Sequence, residues 1–133
     1  MLGGIEPFDV TLPELLKNHG VFSHITTDHN HYFEIGGEGY CQLFNSWDLH
    51  RGQENDPWVS RVNLPPLSEK YYGKASAQYE MNRTRMKEEK DFSTPRTIDS
   101  ACPCLRDNKN APISTFKSNL SIPMNPLMCP MNI

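Results

Sequence analysis

Positive charge is in short supply: 13 lysines and arginines stand against 16 aspartates and glutamates, for a formal net charge of −3. Nucleic acid and anionic membranes are held by an excess of cations, so neither is an expected partner. Long hydrophobic runs are missing too. None approaches the roughly 20 apolar residues that span a bilayer as a helix, and the opening MLGGIEPFDV lacks the basic and apolar segments of a secretory leader. Cysteine is scarce, with Cys41, Cys102, Cys104 and Cys129 only. Cys102-Pro103-Cys104 leaves one intervening residue where zinc and redox motifs have two or more. Ordinary unpaired thiols are therefore expected, not a zinc ribbon or a disulfide framework. No G-x-S-x-G element, P-loop or dinucleotide fingerprint occurs, so the common nucleophile and phosphate-loop chemistries have no motif to rest on.

Proline, in contrast, is plentiful, with 11 in 133 residues, which argues against long uninterrupted elements. The length suits one domain or one piece of a larger one. In TLPELLKNHG, Thr11 caps a helix and Glu14 completes a capping box. Leu12, Leu15 and Leu16 give that helix its apolar face, and Gly20 suits the left-handed stop. VFSHIT then has the β-branched and aromatic content of a strand. Helix, glycine stop and strand together make half of an α/β layer. From Gly36 to about Tyr72 the pattern is that of a long surface connection with one or two short structured pieces. KASAQYEMNRTRMKEEKDF reads as an exposed helix with a solvated charge run. In STPRTIDSACPCLRDNKN, residues Ile98, Ala101, Cys102 and Leu105 follow the spacing of a buried helical stripe. Pro103 interrupts it at a cost of about 3 kcal/mol. Trp47 and Trp58 read as packing anchors and not as stacking platforms.

The strand delivers TTDHNHYFEIGGEGY, residues 26–40, onto a loop at its carboxyl end, where open α/β sheets collect ligands. Three chemistries fit this stretch. His29, His31 and Asp28 or Glu34 can bind a divalent cation, since histidines two apart on a strand point the same way. The same imidazoles can bind an anion or donate a proton near a reacting ester. A hydrogen-bonded surface loop is the third reading.

Taken together, GGIEPFDVTLPELLKNHGVFSHITTDHNHYFEIGGEGY, SWDLHRGQENDPW and MNRTRMKEEKDF resemble the sulfatase family, over roughly residues 3–110. The resemblance implies a partial alkaline-phosphatase-like α/β domain: a few strands of a mixed sheet with flanking helices. It places His29 and His31 on the family's Lys-x-His element, whose side chains hold the sulfate ester. Histidine stands at position 29 where the family has lysine, and an imidazole can stabilise sulfate charge only when protonated. The implied activity is hydrolysis of a sulfate monoester on a small molecule or glycan. The family uses a formylglycine made from Cys or Ser in a Cys/Ser-x-Pro/Ala-x-Arg motif, with a calcium or magnesium ion polarising the sulfate. Neither that motif nor the metal-binding Asp pairs are found in these 133 residues, so the expectation is an internal piece, inactive alone. The alternative is a non-catalytic module that binds metal through histidine or serves an interaction.

Residues 111–133 differ in kind. Only Lys117 of the 29 Asp, Glu, Lys and Arg residues lies there, with four prolines and three methionines. The expected division is a partial sulfatase-like domain over 1–110 and an irregular, non-native or disordered tail over 111–133. Plausible codons for ISTFKSNLSIPMNP, read in a shifted frame, return a strand followed by Asp-Pro-His-Glu-Pro. The family carries both after this helix, so a frameshift near Ala111 is expected in the nucleotide sequence.

Overall fold

The computed structural model describes residues 5–6, 8–37, 39–63, 66, 76–111 and 114–119. The first element is helix α1, Leu12–Asn18, with Thr11 at its N-cap. Both the amide and the hydroxyl of Thr11 donate to Glu14 Oε2, at 3.3 and 2.6 Å. Pro13 occupies the first turn, where a missing N–H costs nothing. Gly20 takes φ +73°, the left-handed stop that the sequence predicts. Leu12 and Leu15 nevertheless stay 64% and 44% exposed, so the apolar face of α1 is left open.

Strand β1, Phe22–Thr27, is the centre of a three-stranded sheet ordered β2-β1-β3. Strand β2 is Ser46–Leu49 and strand β3 is Ser114–Asn119. Thr27 lies opposite Leu49 on one side and Asn119 on the other. Both pairings are parallel, which corrects the mixed sheet expected from sequence. Parallel neighbours need crossover connections, and residues 28–45 and then the two helices below provide them. Ser23 and Ile25 through Thr27 are buried, and this near-continuous burial marks a strand covered on both faces. The apolar core is small: Ile25, Cys41 and Phe44, with Tyr32 and Tyr40 packed against it. Together these elements make a small α/β protein.

The long charged helix expected over 74–92 is much shorter. Helix α2 covers only Ala77–Arg83, capped by Ser76 through the Tyr79 amide at 3.1 Å. It is not an exposed helix, because Met81 and Asn82 are buried. Asn82 donates to the Asp56 carbonyl at 2.8 Å and accepts from the Val59 amide at 3.2 Å, tying the connection 51–59 to the helix. The chain then turns through Thr84 and Arg85 before a short 3-10 turn at Glu89–Asp91.

Helix α3, Ser93–Asp107, runs unbroken through Pro103. Its buried face is Ser93, Thr97 and Ala101, with Leu105 45% exposed. The predicted stripe of Ile98, Ala101, Cys102 and Leu105 is therefore displaced. Small and hydroxyl side chains let the helix approach the end of β1, where Asp28 supplies acceptors. Cys41 and Cys104 form no disulfide, whereas Cys102 is disulfide-bonded, against the expectation of unpaired thiols. Of the tail expected to be irregular, Ser114–Asn119 instead forms β3, because ladder pairing uses backbone groups and needs no amphipathic pattern. Residues 112–113 and 120–133 lie outside the described residues, as does most of the turn-like stretch 64–72. No helix among the described residues is long and apolar enough to cross a membrane.

Candidate functional site

Strand β1 ends at Thr27, and the chain bends at once into a 3-10 turn, Asn30–Phe33, with His29 at its N-cap. The bend is fixed by the His29 amide donating to Thr27 Oγ1 at 3.0 Å. His29 and His31 therefore sit on a turn and not on the strand itself. Their rings still meet edge to face, with centroids 4.9 Å apart. Tyr32 closes on His29 at 5.2 Å and stacks on Tyr40 at 4.8 Å, continuing an aromatic row to Phe44.

Glu34 organises the turn from below. Its Oε2 lies 2.8 Å from His31 Nδ1, and its Oε1 accepts from the side-chain Nδ2 of buried Asn30 at 3.1 Å. An ionised carboxylate can only accept, so Nδ1 carries the proton in this pair. Nε2 is then the nitrogen that a ligand meets. The glycines that follow have a structural reason. A Cβ on Gly37 would lie 2.1 Å from the His31 carbonyl oxygen, so only glycine lets the returning chain pass beneath the histidine. A cavity of about 140 Å³, lined by Tyr32, Phe33, Gly39, Cys41 and Gln42, opens beside this turn.

A second polar cluster lies where β1 and β2 end. Asp28, fully buried, reaches across the fold to hydroxyls in the first turn of α3. Its Oδ2 accepts from Ser93 Oγ at 3.2 Å and Thr94 Oγ1 at 3.3 Å. Its Oδ1 is buried without a partner. His50 follows β2 and is held by its amide on the Thr27 carbonyl at 2.9 Å. Burial pushes its imidazole below the ordinary value; Asp48 and Asp28 oppose that, and Arg96 adds to it. His24 is likewise lowered by burial against the opposing charge of Asp48, with its Nδ1 2.7 Å from Ser46 Oγ.

Asp28 is thus a structural acceptor for α3 and not a partner of His29 and His31. Among the described residues no group of three or more His, Cys, Asp or Glu is placed to hold a metal ion. Sequence reasoning missed the roles of Asp56 and Trp58, although RGQENDPW contains both. Buried Asp56 takes Arg51 Nε at 2.9 Å and the Gly52 amide at 2.7 Å, folding the connection into a defined turn. Trp58 packs against Gly52 as an anchor and also carries two cations: Arg85 and Arg96 lie over its ring at 5.3 and 5.8 Å. Asp-Pro-Trp after Arg-Gly was the available signal. Comparison with family models, curated proteins and solved structures finds no match for the chain.

Proposed function

We propose that the chain is part of a sulfuric ester hydrolase of the sulfatase, alkaline-phosphatase-like type, with His31 and His29 facing the sulfate group of a small molecule or glycan. The observation that carries this reading is the placement of the His29–His31 turn at the carboxyl end of a central parallel strand. That is where α/β sheets bind ligands. The exposed leucines of α1 suit a helix that packs on more protein than is present here.

The chemistry available to the chain is binding, not turnover. With Nδ1 engaged by Glu34, a protonated His31 presents Nε2–H to a sulfate oxygen, a charge-assisted hydrogen bond. His29, in edge contact with His31, sets a second imidazole beside it. The residues present do not fit the family's divalent cation, since no three-ligand group occurs among those described, and no nucleophile motif stands in the sequence.

The 133-residue chain is therefore expected to release no product from an aryl sulfate above a heat-treated control. Its His29 and His31 ring protons are expected to shift in NMR on titration with a monosulfated sugar. Turnover would refute the inactive reading, and unmoved ring protons would refute the sulfate-facing one. Zinc titration by calorimetry separates the alternative module: stoichiometric tight binding, lost on replacing His29 and His31, would favour metal binding over sulfate.

A further inference from the structure

The face around Trp58 gathers positive charge that nothing in the fold requires. Arg85 follows α2, and Arg96 stands in the first turn of α3, yet both guanidiniums lie over one indole. Among the described residues neither has an ion pair or a side-chain hydrogen bond. A guanidinium drawn to a ring face by cation–π attraction keeps its N–H donors available for an anion. Arg96 is also misplaced for helix stability, because a cation in the first turn opposes the dipole. Two like charges on one platform repel each other unless an anion comes between or beside them.

The platform itself is built. A Cβ at Gly52 would lie 2.9 Å from Trp58 Cε3 and Cζ3 and 2.6 Å from Met86 Cε, so the indole and Met86 rest directly on the Gly52 backbone. Gly52 takes φ +114° and its amide is anchored on buried Asp56. The charged groups near Arg96 are few. Asp91 feels its field, and its Oδ2 already accepts the Lys87 and Glu88 amides. His50 lies on the other side, its Nε2 buried and without a partner, and Arg96 disfavours its charged form.

We infer that Arg85, Arg96 and the Trp58 ring form a binding site for a tetrahedral oxyanion, sulfate or phosphate, either free or as an ester group on a larger molecule. Planar guanidiniums with free N–H edges match such oxygens in geometry and charge. The site is separate from the His29–His31 turn and stands whether or not that turn meets a sulfate ester.

Trp58 reports on its own site. In a Trp47→Phe background it is the one remaining tryptophan, so its emission can be followed while sodium sulfate or phosphate replaces chloride at constant ionic strength. A saturable change is expected. Arg85→Gln and Arg96→Gln should each weaken it roughly tenfold or more, the loss of a charged hydrogen-bond pair. Arg85 is exposed, so its variant keeps the fold and decides the matter alone if Arg96→Gln alters the circular dichroism. His31→Ala should leave the response unchanged. No saturation, an affinity unchanged from the parent in both Gln variants, or loss of the response in His31→Ala would each overturn the assignment. Glucose 6-sulfate binding as tightly as inorganic sulfate assigns an ester group, and inorganic ion alone assigns the free anion. Either result upholds the oxyanion site.

Discussion

Replacing Asp56 by asparagine tests whether one buried carboxylate organises the connection between β2 and α2. The side chain is 2% exposed. Its two oxygens serve Arg51 Nε at 2.9 Å each and the Gly52 amide at 2.7 Å. An amide of the same shape keeps one acceptor and turns a pair of donor hydrogens toward either the guanidinium or the Gly52 N–H. A hydrogen bond to a charged group is worth about 1.5–3 kcal/mol, and a buried donor left unmet costs about 1–3 kcal/mol. Arg51 is 40% exposed, so water recovers part of the first term. The expected loss is about 3 kcal/mol, or a fall in melting temperature of about 10 °C for a chain of this size. Thermal and urea unfolding, followed by circular dichroism, measure it. Because Gly52 also seats the indole, Trp58 emission should shift in the folded variant. A loss below about 0.5 kcal/mol would refute the idea that Asp56 holds this turn.

Two further outcomes follow from the fold. Pro103 lies exposed within α3 and leaves the Asp99 carbonyl without its helical donor. Pro103→Ala should therefore stabilise the chain by about 2–3 kcal/mol, after allowing for the looser unfolded chain, as read from the urea midpoint. His24 and His50 are both held below the ordinary imidazole value by burial. Their unfolded forms bind protons first as pH falls, so the stability they contribute is present above about pH 6.5 and is lost as pH drops through the lowered values. The urea midpoint should fall on the acid side of pH 6.5, and His50→Gln should flatten that fall. A midpoint unchanged between pH 7.5 and 5 would contradict the burial of both rings.

Local signals carried the first part of the fold. Thr11, Glu14 and Gly20 marked α1 because capping and left-handed geometry depend on a few neighbouring atoms. VFSHIT marked β1 because β-branched and aromatic residues fit a pleated strand. The helical pattern over 93–107 was legible as well, but its buried face was not. Ser93 is buried because Asp28, more than sixty residues earlier in the chain, gives α3 a carboxylate to dock on, and Thr97 turns its own hydroxyl back to the Ser93 carbonyl. The charge run after Arg83 had helix-forming residues yet turns instead, since Asn82 is fixed to the Asp56 turn.

By itself the sequence determined that residues 29 and 31 would share a loop after a strand, and that glycines would follow them. Periodicity and residue type suffice for that. Only the tertiary structure decided that all the described strands run parallel, that Asp28 serves α3 instead of the histidines, and that Gly37 passes under the His31 carbonyl. It alone brought Arg85 and Arg96 onto Trp58. These are contacts between segments far apart in sequence, set by crossover connections and close packing, and no local pattern encodes them.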